Sequence, residues 1–125
     1  MTLKAIVIDD SRSMRAILAG WLKERGFEIV EAADGRSAME LFRRSGPLDL
    51  AVIDWNMPVM NGYELIVELR CIPSFDTMPI LMVSTESSEA QKAEALAAGA
   101  TEYLAKPVME EAFLQKLQTL GFDVR

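Results

Sequence analysis

The stretch Leu50-Ala51-Val52-Ile53-Asp54-Trp55-Asn56-Met57-Pro58 decides the fold. Four consecutive apolar residues run straight into a carboxylate, and a proline four residues later forbids simple continuation of a central strand. An uninterrupted apolar run of this kind marks a strand buried on both faces, as in a parallel sheet covered by helices. Asp54 then sits at the carboxyl edge of the sheet, where loops and helix N-termini converge and where open α/β sheets bind ligands. A lone aspartate after a strand more often only starts a turn. Its companions elsewhere in the chain change that balance.

Upstream, Lys4-Ala5-Ile6-Val7-Ile8-Asp9-Asp10 repeats the pattern of an apolar strand ending in acid. Ser11 or Ser13 can cap a helix in which Met14, Ile17, Leu18, Trp21 and Leu22 recur at helical spacing, and Gly26 is a natural stop. Phe27 to Ala32 alternates imperfectly between apolar and acidic residues, as expected of a strand near the edge of the sheet. Asp34-Gly35 turns the chain into a second amphipathic helix carrying Ala38, Leu41 and Phe42, which ends at Gly46-Pro47. Downstream, Asn61-Gly62 opens a helix with Leu65, Ile66 and Leu69 that must end by Pro73, and Pro79 to Val83 is a short strand. Ser88-Glu89-Ala90-Gln91 resembles the capping box of a fourth helix, whose inner face reads as Ala90, Ala93, Leu96 and Ala97. So little apolar volume predicts a shallowly packed helix that shifts at modest cost. Gly99 ends it, Glu102 to Lys106 is the last strand, and Phe113, Leu117 and Leu120 line a final helix. Five strands alternating with five helices predict an α/β fold with a doubly wound parallel sheet. Right-handed crossovers and short connections favour the flavodoxin-like order 2-1-3-4-5.

Composition bounds the function. A chain of 125 residues, half of them hydrophobic and 26% charged, suits one globular domain over 1–125, with no linker and no output domain. A net charge of -6 argues against a nucleic-acid surface, which needs clustered Lys and Arg. A lone Cys71 cannot form an internal disulfide and no signal segment precedes Lys4, both consistent with a reducing cytoplasm. No apolar run approaches the roughly 20 residues of a membrane helix, so membrane insertion is not expected. The absence of histidine excludes His-type zinc sites, Ser-His-Asp triads and phosphohistidine chemistry within the chain. A phosphohistidine could come only from a partner.

In the expected topology four strands present polar groups at one edge: Asp9 and Asp10, Asp54, Ser84, and Lys106. The first and third strands are neighbours, which brings three carboxylates together. At about 4 Å and an effective dielectric near 20, each like-charge pair costs roughly 4 kcal/mol before solvent and counterions relieve it. A divalent cation resolves the conflict, and carboxylate oxygens with a backbone carbonyl and waters suit Mg2+ rather than zinc. Lys106 supplies the cation needed by an anion already held on the metal, and Pro107 ends its strand. Ser84 can hydrogen-bond that anion, although a serine after a strand is more often only a helix cap. Such a set fits phosphoryl transfer, in which catalysis is largely positioning plus charge neutralisation.

Four segments carry a family resemblance. Val7-Ile8-Asp9-Asp10-Ser11-Arg12-Ser13-Met14-Arg15, Asp54-Trp55-Asn56-Met57-Pro58-Val59-Met60-Asn61-Gly62, Leu81-Met82-Val83-Ser84-Thr85-Glu86 and Tyr103-Leu104-Ala105-Lys106-Pro107 resemble response-regulator receiver domains, most of all stand-alone chemotaxis receivers of the CheY type. The resemblance implies a phosphorylation-activated switch of a two-component system. By it, Asp54 accepts a phosphoryl group from a histidine kinase or phosphotransfer protein; Asp9, Asp10, Asp54 and the Asn56 carbonyl hold Mg2+; and Lys106 contacts the phosphoryl group. Ser84 and Tyr103 take the switch positions, while Asn56 and Glu86 regulate water access and so the phosphate lifetime. The Lys106–Pro107 bond is cis in such domains, and the fourth helix, last strand and last helix form the output surface. A monomeric cytoplasmic protein follows, one that catalyses its own phosphotransfer and autodephosphorylation rather than acting as an enzyme. Its partners are a phosphodonor, a protein target and a phosphatase.

Some positions depart from the family pattern. Ser84 replaces a threonine, keeping the hydroxyl but losing the methyl that restricts its rotamer, while Asn61 stands at a commonly acidic position and Thr85 at a commonly small one. Three alternatives fit less well. Haloacid-dehalogenase-like phosphatases carry a second Asp two residues after the nucleophile, where this chain has Asn56. A flavodoxin-like FMN module would suffer repulsion between Asp9-Asp10 and the cofactor phosphate, and no glycine-rich cradle exists. An unphosphorylated adaptor should lack the complete set of acids and lysine.

Overall fold

The computed structural model describes residues 2–86 and 88–124. The elements run β1 (Leu3–Ile8), α1 (Arg12–Lys23), β2 (Phe27–Ala32), α2 (Gly35–Ser45), β3 (Leu50–Asp54), α3 (Gly62–Arg70), a single 3-10 turn (Pro73–Phe75), β4 (Ile80–Ser84), α4 (Glu89–Ala98), β5 (Glu102–Ala105) and α5 (Glu110–Thr119). The five strands are parallel in the order β2-β1-β3-β4-β5, the expected flavodoxin-like arrangement. β3 lies at the centre and all five of its residues are buried, which is what its unbroken apolar run required.

Successive strand side chains point to opposite faces and build two cores. Ile6, Ile8, Ala51, Ile53, Ile80 and Met82 pack with Phe42 of α2, Leu65 and Leu69 of α3 and Ala95 of α4. Ala5, Val7, Val52, Leu81 and Val83 pack on the other face with Leu18 and Leu22 of α1 and Phe113 and Leu117 of α5. Local signals set the helix starts. Ser11, Asp34 and Ser88 accept from Met14 N, Ser37 N and Gln91 N, and Asn61 forms a full capping box with Glu64.

The structure departs from the pattern-based expectation in several places, among them β4, which runs Ile80–Ser84 rather than Pro79 to Val83 and so includes Ser84. Ile17, assigned to the inner face of α1, is 47% exposed. On α4 the fully buried residue is Ala95, with Gln91, Lys92 and Ala98 half-buried, while Ala90, Ala93, Leu96 and Ala97 are exposed. Alanines occur all round this helix, so apolar spacing could not single out a face; the expectation of shallow packing holds. Pro73 starts a 3-10 turn whose Phe75 packs edge-on against Phe42, with ring centroids 5.3 Å apart. β5 stops at Ala105, one residue early, although Lys106 N still donates to Ser84 O at 2.7 Å.

The start of α3 presses on the end of β3, and only a glycine allows it. A Cβ on Gly62 would fall 2.3 Å from the Asp54 carbonyl oxygen and 3.0 Å from Ile53 Cγ2. The backbones cannot separate freely, because Gly62 N donates to Trp55 O at 2.9 Å. Gly62→Ala should therefore cost about 1–3 kcal/mol through overpacking, measured by urea denaturation. A cost indistinguishable from zero would mean that this contact gives way.

Candidate functional site

The parallel register aligns the carboxyl ends of the strands. Ile8 pairs with Ile53, Asp54 with Val83 and Ser84 with Ala105, so the residues that end or follow β1, β3, β4 and β5 emerge at one edge. Asp9, Asp10 and Asp54 each place a carboxylate oxygen there, all within 4.8 Å of one another. Asp9 and Asp54 are only 1% and 3% exposed, whereas Asp10 faces solvent.

Each buried oxygen has a distinct environment. Asp9 Oδ1 accepts from Ser11 N at 2.8 Å, a local turn that fixes its rotamer, and Asp9 Oδ2 lies 3.4 Å from Lys106 Nζ. Lys106, joined to Pro107 by a cis peptide bond, also pairs with Asp54 Oδ1 at 3.3 Å. That ion pair is the contact that Asp54 Oδ1 makes with a cation; the oxygen is buried and no well-formed hydrogen bond reaches it among the described residues. Burial pushes the Asp54 carboxyl up to about 6, the Asp9 charge adds to the rise, and the Lys106 charge opposes it. Burial alone would lower Lys106, but the charges of Asp54 and Asp9 outweigh it and its pKa is raised.

These residues fit a metal ion. Three carboxylates face one ammonium, and one buried carboxylate oxygen lacks a hydrogen-bond donor. A hard cation with oxygen ligands would relieve both the excess negative charge and the unsatisfied oxygen.

The remaining site residues form a second group beside the acids. Ser84 is fully buried and its Oγ accepts from Glu86 N at 3.1 Å. Tyr103 is 6% exposed and donates its hydroxyl to Glu86 O at 2.6 Å. Residue Glu86 therefore links the two through its backbone N–H and carbonyl, a connection that sequence inspection did not foresee. Asn56 is exposed and donates Nδ2 to Thr85 Oγ1 at 3.3 Å, tying the loop after β3 to the loop after β4. Arg15 was also overlooked as a site residue: it donates to Asp9 O at 2.7 Å and pairs with Glu31 at 3.2 Å. Its place one helical turn beyond the Ser11 cap was the available clue.

Asp54 also sets a pH dependence. Between its ordinary value of 3.8 and about 6, the folded protein holds a proton that the unfolded chain has released. Stability of the metal-free protein should therefore fall through that window, and the full cost is present above it. Asp54→Asn removes the contribution, so the variant's advantage over wild type should grow from about pH 4 to about pH 6 by on the order of 2–3 kcal/mol and then level off. Urea denaturation in chelator measures this directly. Parallel pH profiles for the two proteins would contradict the burial of an ionisable Asp54.

Residues 5–118 match the family model of the response regulator receiver domain. The chain is 37% identical over 117 residues to a chemotaxis protein CheY homolog of Campylobacter jejuni, covering 93% of this chain and 90% of that protein. With chemotaxis protein CheY1 of Helicobacter pylori it shares 35% identity over 119 residues, 94% of this chain and 96% of that one. The solved structure of chemotaxis protein CheY4 of Vibrio cholerae is similar at a TM-score of 0.89 and 38% identity, over 96% of this chain and 99% of that chain. Matches of this extent, on a sheet whose carboxyl edge gathers the acids and lysine, leave one assignment: the chain belongs to the receiver-domain family of two-component response regulators and is CheY-like within it.

Proposed function

We propose that this receiver is a phosphorylation-activated switch in which Asp54 takes a phosphoryl group from a histidine kinase or phosphotransfer protein, with Mg2+ as cofactor. The observation that carries the reading is the buried Asp54 carboxylate, set beside the acids Asp9 and Asp10 with the Lys106 ammonium 3.3 Å from its Oδ1. Asp9, Asp10, Asp54 and the Asn56 carbonyl would hold the ion, which when bound supplies charge neutralisation between carboxylate and phosphoryl oxygens. An Asp54 oxygen attacks phosphorus as the bond from phosphorus to the donor's histidine nitrogen breaks, and the electron pair leaves with the nitrogen. A carboxyl with a pKa of about 6 is mostly ionised near neutrality, and so is available as the nucleophile. Lys106 already stands 3.3 Å from that oxygen and can turn its charge onto the incoming phosphoryl group.

The chain thus promotes its own phosphorylation and its own dephosphorylation, with no external substrate turned over. Asn56 and Glu86 flank the pocket from two loops and would tune access of the hydrolytic water, and hence the phosphate lifetime. The chemotaxis names of its relatives make motility control the first pathway to test, with a phosphatase as a further partner and a monomeric state expected. Output runs through Ser84. If its hydroxyl turns to a phosphoryl oxygen it releases Glu86 N, and the same residue's carbonyl holds Tyr103. That exchange alters the surface of α4, β5 and α5 for a protein target.

The size of the effect is limited. A charge-assisted hydrogen bond contributes about 1.5–3 kcal/mol, whereas reversing a population from 1:99 to 99:1 demands about 5.5 kcal/mol. A partial shift is expected. Acetyl phosphate should add one phosphoryl mass in the presence of Mg2+ and little in chelator, and mapping should place it on Asp54. The same modification persisting in full in Asp54→Asn would remove Asp54 as the acceptor. Ser84→Ala should still be phosphorylated yet show a smaller NMR displacement around Tyr103 with beryllofluoride, while Ser84→Thr should keep or enlarge it. Full wild-type displacement in Ser84→Ala would rule out this route of coupling.

A further inference from the structure

Arg70, the last residue of α3, makes hydrogen bonds only to backbone carbonyls among the described residues. Nε and one terminal nitrogen bond to Gly99 O at 3.0 and 2.8 Å, that same terminal nitrogen bonds to Met78 O at 2.8 Å, and the other bonds to Phe75 O. Gly99 is the C-cap of α4 and Phe75 ends the 3-10 turn. One half-buried cation therefore closes the carbonyl ends of α4 and of that turn, from the last turn of α3, where the helix dipole also favours positive charge. Steric fit reinforces the contact. Gly99 has φ +124, and a Cβ on it would come 2.5 Å from Arg70 Cγ.

The other end of α4 is held differently. Ser88 caps the helix internally; ahead of it Glu86 donates its N–H to Ser84 Oγ and accepts from the Tyr103 hydroxyl, and Thr85 Oγ1 accepts from Asn56 Nδ2. In the switch proposed above the Ser84 hydroxyl leaves Glu86 N, which frees the residue whose carbonyl holds Tyr103. Between the ends, Ala95 is the fully buried residue of the helix. α4 thus has a firm attachment at its C-terminus, remote from the acids, and a conditional one at its N-terminus, next to them.

We propose that Arg70 is a positioning residue of the switch: it pins the C-terminal end of α4, so that loss of the Glu86 contacts becomes a swing of the N-terminal half about Gly99. This rests on the phosphoacceptor reading of Asp54. Without the pin, the same event would slide or fray the whole helix and the displacement would not be directed. At 1.5 Å of rise per residue, Glu89 stands about 15 Å from the pivot, so a small rotation moves its end of the surface appreciably. Arg70 acts through the carbonyls of Gly99, Phe75 and Met78 that it holds, and not through Asp54 or Lys106.

The test is a beryllofluoride and Mg2+ titration followed by amide shifts along α4, with Trp55 fluorescence reporting occupancy beside Asp54. In wild type, shift changes at Glu89 to Gln91 should be several-fold larger than at Ala97 to Ala100. Arg70→Met keeps the stem over Gly99 but removes the guanidinium; it should keep the Trp55 response and flatten the gradient as the C-terminal amides begin to move. Arg70→Lys retains a charge without the planar fork and should lie between the two, and it carries the same comparison if the methionine variant does not fold. A variant that merely loosened the fold would lower stability without redistributing the ligand-induced shifts. An unchanged gradient with a normal Trp55 response, or a uniform displacement of α4 in wild type, overturns the pin alone. Absence of any Trp55 or shift response in wild type overturns the phosphoacceptor reading and the pin with it.

Discussion

The structure depends on an electrostatic conflict that the sheet imposes. Parallel pairing of β1 with β3 makes the two acid-ended strands adjacent, so Asp9 and Asp54 are buried side by side with Asp10 at the rim. Lys106 is the cation that pairs with both buried acids, at 3.4 and 3.3 Å. One ammonium cannot balance three carboxylates. The residual cost appears as the raised Asp54 pKa. The site is therefore least comfortable when empty and ionised, which is the condition under which a metal ion and then a phosphoryl group gain most from entering it.

The rest of the domain divides into parts that resist this cost and parts that respond to it. The two cores on either side of β3 and the close approach of Gly62 hold Asp54 in place. Ser84, Glu86 and Tyr103 form a short chain of hydrogen bonds that leads away from the acids toward α4. α4 buries so little of itself that its position is set by its ends more than by its side, and Arg70 fastens one of those ends. A rigid pocket joined to a lightly packed helix is a physical basis for a signal that leaves through a surface.

The sequence by itself determined the fold and which acids and lysine meet at one edge of the sheet. Unbroken apolar runs ending in acid can satisfy their burial only in a covered parallel sheet, and short connections between five such runs leave few orders, so the arrangement around β3 was legible from Leu50 to Asp54 outward. The reciprocal capping box formed at Asn61 and Glu64, and Ser88 shows only its own half, accepting from Gln91 N. Helix starts near Ser11 or Ser13, at Asn61 and at Ser88 were nonetheless legible for a local reason, because each cap satisfies its own helix terminus. The inner face of α4 was not, since an alanine-rich helix carries no periodic contrast and only the packing of Ala95 against the sheet side decides its roll. Nor were the Glu86 bridge, the Arg15 contact to Asp9 O or the Arg70 clasp, because these polar groups meet backbone atoms. Every residue offers a carbonyl and nearly every residue an N–H, so a side-chain pattern cannot say which one will be met; that is settled only when tertiary structure brings a particular loop within hydrogen-bonding distance.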